Sequence, residues 1–244
     1  MKVKILAMVV TSLVSLSSMA VTIDYRHEMK DTANANHQDR LLISNRFDNG
    51  FGLSLEGKWK QSSGDKSDPY NKPNKPYNET VSNGTEVTAS YLYKFDKTFS
   101  LEGGFNMVTD SNTNNYRPYI KGAVNITDSL YYNLRYRPFY KRYSGNIGTA
   151  KDTDMKGYAI TSVIGYKLPA NFTIEYEFEY VKNTKAGSFG YIYDNDNDNM
   201  THDVKLSYKF DKNWTPYIQL ANVEQDSATD HRQTRYRAGI QYNF

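Results

Sequence analysis

The closing stretch Arg232–Phe244, RQTRYRAGIQYNF, decides the fold. Taken at every second residue, one face carries Thr234, Tyr236, Ala238, Ile240, Tyr242 and Phe244; the other carries Gln233, Arg235, Arg237, Gly239, Gln241 and Asn243. A period of two with one apolar and one polar, cationic face is a β-strand lying between two environments. In a soluble sandwich the apolar face would pack inward and the arginines would meet bulk water. In an outer-membrane barrel the sense is inverted: the apolar face meets lipid and the arginines line an aqueous lumen.

Composition favours the second arrangement. Mean hydropathy is −0.73, strongly polar, yet aromatics make up 14% of the chain and tyrosine occurs 22 times. That combination excludes a helical membrane protein and argues against disorder. It suits a barrel whose apolar residues occupy alternate positions, with aromatic girdles at the two interfaces. The chain has no cysteine, so disulfides do not stabilise it. At the N terminus, Lys2 and Lys4 precede a mostly apolar run from Ile5 to Leu16, too short for a bilayer span, and Ser18-Met19-Ala20 offers small residues for cleavage. Residues 1–20 read as a secretory signal peptide and 21–244 as one barrel domain. Removing Lys2 and Lys4 takes the net charge from +3 to +1, so any electrostatic function must rest on how charge is distributed.

After the signal the chain divides into twelve runs of about ten residues, the length a tilted strand needs to cross a bilayer. They are 21–30, 38–47, 51–61, 84–95, 99–109, 115–126, 130–142, 155–168, 172–182, 201–210, 214–224 and 232–244. Phe172, Ile174, Tyr176, Phe178 and Tyr180 alternate most clearly, with Thr173, Glu175, Glu177 and Glu179 between them. Five connections are tight and rich in turn formers: Asp48-Asn49-Gly50, Asp96-Lys97-Thr98, Thr127-Asp128-Ser129, Pro169-Ala170-Asn171 and Asp211-Lys212-Asn213. The other six are longer and polar, notably 62–83, 143–154 and 183–200. Short turns at one end and long loops at the other mark bacterial outer-membrane barrels, with the turns periplasmic. An even strand count puts both termini on that side. The expected fold is all-β, a transmembrane antiparallel β-barrel of twelve strands with both termini periplasmic.

If outward positions carry the apolar residues, then Arg26, Arg40, Arg46, Arg117, Lys121, Arg135, Arg137, Arg235 and Arg237 point into the lumen, together with Lys58, Lys60, Lys94, Lys205 and Lys209. The last run closes against the first, so Arg235, Arg237, Arg26, Arg40 and Arg46 share one wall. Arg117, Arg135 and Arg137 lie roughly half the circumference away. Strands about 4.8 Å apart and tilted about 40° give a backbone diameter of about 24 Å and, with side chains in place, a bore of about 10–12 Å. That admits an extended sugar chain but not a folded protein. Inward residues on one strand repeat about every 7 Å, so paired arginines form a ladder for a polymer with repeating acidic groups. The planar guanidinium matches a carboxylate and keeps its charge. The opposing reading is a lumen plugged by ion pairs to Glu56, Glu102, Glu175, Glu177 and Glu179. An open anion-selective path is preferred because these acids cluster mainly away from the arginine-rich strands.

Other signals carry less. Asp194–Asn199 begins like a calcium loop, but Asn199 stands where glycine is required and Lys205 where glutamate is. His27 beside Glu28, and His231 beside Asp230, diverge on a strand and leave no catalytic constellation. No enzyme, metal, cofactor or nucleic-acid partner is expected. A blocked barrel whose loops 62–83 and 183–200 bind a partner is the non-conducting alternative.

Five segments taken together add a resemblance: Ile23-Asp24-Tyr25-Arg26-His27-Glu28, the run from Asp39 to Phe47 (DRLLISNRF), Asn115-Tyr116-Arg117-Pro118-Tyr119, Leu134-Arg135-Tyr136-Arg137-Pro138 and Gln233-Thr234-Arg235-Tyr236-Arg237. The chain resembles the oligogalacturonate-specific porins (KdgM type) over essentially its whole length. The resemblance implies a small monomeric outer-membrane channel, surrounded by lipid, that passively takes up acidic oligosaccharides from pectin breakdown; relatives carry sialic acid. It also implies an arginine track on the pore wall at Arg26, Arg40, Arg46, Arg117, Arg135, Arg137, Arg235 and Arg237. Periodicity alone implies only a narrow barrel with a cationic lumen.

Overall fold

The computed structural model describes residues 20–31, 37–61, 80–143, 154–185, 193 and 196–244; the expected signal peptide, apart from Ala20, lies outside them. The described strands are β1 (Ala20–Lys30), β2 (His37–Arg46), β3 (Phe51–Gln61), β4 (Thr80–Lys94), β5 (Phe99–Thr109), β6 (Thr113–Asn125), β7 (Leu130–Tyr143), β8 (Asp154–Lys167), β9 (Phe172–Lys185), β10 (Asp198–Tyr208), β11 (Trp214–Glu224) and β12 (Arg232–Asn243). Each pairs with its sequence neighbours, and β12 returns antiparallel to β1, where Ile23 faces Tyr242 and Tyr25 faces Ile240. The barrel is closed, so no edge is left unpaired.

Three strands, β3, β5 and β11, have the bounds that alternation predicts. β4, β9 and β10 differ most; β10 runs Asp198–Tyr208 rather than 201–210, and the other two differ for one physical reason. β4 begins at Thr80 rather than 84 because the register slips between Gly57 and Trp59 of β3, where Gly84 takes a φ of 95°. β9 runs on to Lys185 because a second slip, at Lys156/Gly157 of β8, inserts Thr184. A bulge adds one residue and reverses the parity beyond it, so the polar strand end resembles a loop in sequence.

The short turns are closed by their own side chains. Asp96 Oδ1 accepts from the amides of Thr98 and Phe99, both at 2.7 Å, and Asp211 Oδ1 accepts from Asn213 and Trp214 at the same distances. Ala170 and Asn171 take φ of 57° and 65°, the left-handed pair of a hairpin turn that matches strand twist. At the opposite end, Asp110 Oδ1 accepts from Asn112 and Thr113 and closes β5 to β6 as tightly. The expected loop asymmetry therefore has one exception.

Polarity is inverted relative to a soluble domain. Leu55 and Ile218 are each 55% exposed, whereas Asp24 and Asp203 are 3% exposed. Two aromatic girdles frame the outward apolar band. At the short-turn end Phe95 stacks on Phe99 and Trp214 meets Tyr242; at the long-loop end Tyr116 neighbours Tyr140, and Tyr158 neighbours Tyr136 and Tyr180. Inside, three tyrosines lie over cross-strand glycines: Tyr119 on Gly104, Tyr131 on Gly165 and Tyr217 on Gly239. A Cβ on Gly239 would stand 2.3 Å from Tyr217 Cζ, so the missing side chain is what lets the ring lie flat on the wall.

Candidate functional site

Alternation sends every predicted cation inward, and the register sets its neighbours. Arg26 stands opposite Arg40 across β1–β2 and opposite Gly239 across β1–β12. Arg237 faces Glu28, and Lys121 faces both Glu102 and Arg135. Arg26, Arg40, Arg46, Arg235 and Arg237 lie on β12–β1–β2, and Arg117, Lys121, Arg135 and Arg137 lie on β6–β7.

Their charges, however, are paired. Arg40 reaches Asp24 at 2.8 Å and Glu56 at 3.2 Å. Arg46 and Lys121 share Glu102 at 3.3 and 2.9 Å. Arg117 and Lys58 share Glu86 at 2.9 and 3.0 Å. Arg235 and Arg237 share Asp203 at 3.0 and 3.5 Å, and Arg237 Nε lies 2.7 Å from Glu28. Arg137 and Arg135 approach Glu179 at 3.4 and 3.7 Å, and Lys205 meets Glu175 at 3.2 Å. The expectation that acids stand apart from the arginine-rich strands is overturned: Asp24 and Glu28 flank Arg26 on β1 itself. Asp24, Glu28, Glu86 and Asp203 were missed as site residues, although they share the inward parity that singled out the arginines.

Several pairs span an intervening strand. Asp203, Ala221 and Arg235 form one rung across β10–β11–β12, and the small buried Ala221 lets the two charged chains meet over it. Arg135, Thr161 and Glu179 form a similar rung across β8, where the Thr161 hydroxyl donates to Glu179 and accepts from Arg135. The glycine-seated tyrosines then fix the acids. Tyr217 donates to Asp24 at 2.8 Å, Tyr131 donates to Glu175 at 2.7 Å, and Tyr119 donates to Glu102. Backbone packing thus positions phenols, phenols position carboxylates, and carboxylates position guanidiniums.

Two inward groups stand outside this belt. Arg26 forms no ion pair within 4 Å among the described residues, and its Nε is without a hydrogen-bond partner. Glu177 likewise has no ion pair; it stands opposite Asp203 and lies in the fields of both Arg135 and Arg237.

The histidine reading changes. On the outward side of β1 and β2, His27 Nδ1 lies 2.9 Å from Asp39 and its Nε2 lies 3.1 Å from His37 Nδ1. This is a cross-strand cluster, invisible to a search of sequence neighbours, and it faces away from the lumen. Asp198, from the calcium-like stretch, belongs to β10 and pairs with Lys182 and Tyr180; Asp194 and Asn195 lie outside the described residues. Among the described residues no group of three metal-ligating side chains converges.

Comparison with known proteins follows the same lines. The sequence model of the family "oligogalacturonate-specific porin protein (KdgM)" matches residues 14–244. The oligogalacturonate-specific porin KdgM of Dickeya dadantii is 58% identical over 245 residues, covering 100% of each chain. A solved KdgM porin in complex with disordered oligogalacturonate is similar at a TM-score of 0.67 and 47% identity, over 91% of this chain and 99% of that one. The NanC porin, at a TM-score of 0.72 and 18% identity over 91% of this chain and 100% of that one, shares the fold.

Proposed function

We propose that this chain, which belongs to the oligogalacturonate-specific porin family, passively conducts acidic oligosaccharides, oligogalacturonates above all, through its lumen across the outer membrane. It does so as a monomer and without catalysis, with short turns and both termini in the periplasm and the long loops outside. Arg26 carries this reading. It lies between Arg40 and Arg237 with no carboxylate within 4 Å among the described residues, so a uronate passing the belt meets a guanidinium flanked by two more. Arg40, Arg46, Arg117, Lys121, Arg135, Arg137, Arg235 and Arg237 extend the track. Each guanidinium has five donors, and the ion pairs occupy only some of them. A sugar carboxylate takes the remainder while the protein carboxylate keeps the side chain in place. Exchange of one anionic partner for another changes the energy little, which suits conduction: sites must attract without trapping.

Single-channel recording in planar bilayers tests this. The wild-type pore is expected to prefer anions and to show current block by added oligogalacturonate. Arg26→Ala should weaken that block by about tenfold, the lower end of what one charge-assisted contact contributes. Arg135→Ala combined with Arg137→Ala should weaken both block and anion preference. A cation-preferring pore, or one that N-acetylneuraminate blocks and oligogalacturonate does not, rejects the assignment.

A further inference from the structure

We infer that the outer face of the long-loop rim on β7–β10 is a docking site for a lipid bearing a phosphate-monoester headgroup. The inference rests on the barrel lying in its membrane and not on the sugar pathway.

The outward positions of these strands carry the tyrosine girdle and, directly beside it, a cluster of cations. Tyr140 stands opposite Lys156 across β7–β8, and Tyr158 opposite Lys182 across β8–β9. Lys156 Nζ sits 5.3 Å over the Tyr140 ring. Arg142, exposed, occupies the next outward position beyond Tyr140. Lys185, displaced by the Thr184 bulge, reaches Asp154 at 2.8 Å. Two carboxylates share the patch: Asp154 also lies 3.9 Å from Lys156, and Asp198 lies 3.5 Å from Lys182. Arg142, Lys156, Lys182 and Lys185 against Asp154 and Asp198 leave two positive charges. The Lys156 and Lys182 side chains remain 55% and 44% exposed.

The cluster is one-sided. Among the described residues, the outward positions of β2–β6 hold no lysine or arginine. The barrel wall separates the patch from the lumen, so it does not serve the permeating ion. Its surroundings select the partner. Tyrosine rings lie at the depth where acyl chains give way to headgroups, and lysine stems extend along apolar surface while the ammonium stays at the interface. A phosphate monoester brings a charge of about −1.5 to −2 and three strong acceptor oxygens, which matches the surplus charge. A phosphodiester brings one charge and fewer acceptors.

The test uses the full mature chain in neutral-detergent micelles, with lipid retention read by native mass spectrometry. Phosphatidic acid is the monoester probe and phosphatidylglycerol the diester control. The wild type should retain phosphatidic acid well above phosphatidylglycerol. Arg142→Gln with Lys156→Gln and Lys182→Gln should lower phosphatidic acid retention by at least about tenfold while leaving anion conductance unchanged. Lys156→Arg with Lys182→Arg, which keeps the charge, should restore retention and guards against misfolding of the neutral variant. Equal retention by the wild type and the neutral variant, or equal retention of the two lipids, overturns the proposal. Loss of conductance selectivity with lipid retention intact counts against the sugar pathway and not against this site.

Discussion

Arg237 and Arg135 occupy comparable places on opposite walls of the lumen, and they are held differently. Arg237 Nε lies 2.7 Å from Glu28, its direct cross-strand neighbour. Arg135 lies 3.7 Å from Glu179, on the far side of β8, and shares that acid with Arg137. Their side chains are 15% and 29% exposed, respectively. On the β12–β1–β2 wall, Asp24 and Glu28 sit on β1 among the arginines, while Arg235 and Arg237 also reach Asp203 on β10 and Arg46 reaches Glu102 on β5. On the β6–β7 wall the carboxylates of the arginines come from β4 and β9, across an intervening strand, whereas Lys121 takes Glu102 from adjacent β5. Within this pair, the directly facing acid holds its guanidinium closer than the shared acid one strand further away. Arg237 is thus held tightly and Arg135 loosely.

The strongest challenge to that contrast is steric. Gly239→Ala places a Cβ 2.3 Å from Tyr217, which is 5% exposed and anchors Asp24; Gly165→Ala places one 2.1 Å from the half-buried Tyr131. The first should cost about 2–3 kcal/mol of unfolding free energy and the second about 1 kcal/mol, because Tyr131 has lumen to move into. Denaturant unfolding in lipid measures both, and the reverse order breaks the distinction.

Next comes removal of the acids. Glu28→Gln leaves Arg237 without its closest partner and should destabilise by about 1–2 kcal/mol, less than in a dry interior because water fills the lumen. Glu179→Gln should cost about half as much, since its contacts are longer. Equal losses in the same unfolding assay would make the two arginines equivalent. The smallest effect concerns the group between them. Glu177→Gln removes a carboxylate with no ion pair among the described residues, so it should raise the anion-to-cation permeability ratio by about twofold with stability unchanged; reversal potentials in a salt gradient report it.

Much of this was legible in the chain. Parity in RQTRYRAGIQYNF and its counterparts gave the strand count and the two faces of each strand, and from them the nine cations proposed for the lumen. Where a bulge reverses parity, at Gly84 and Thr184, the strand ends read as loop. Asp24 and Glu28 were on the correct face of β1 and two residues either side of Arg26, yet nothing local says that they reach Arg40 and Arg237 on other strands. The outward cluster of His27, His37 and Asp39 was hidden for the same reason.

Sequence by itself determined which residues meet lipid and which meet the lumen, because side-chain direction in a strand alternates and needs no knowledge of neighbours. Only the closed barrel decided which charges neutralise one another. Ion pairing falls off over a few ångströms, and the distances from Arg235 over Ala221 to Asp203, or from Arg135 past Thr161 to Glu179, are set by register across strands that are not adjacent in the sheet.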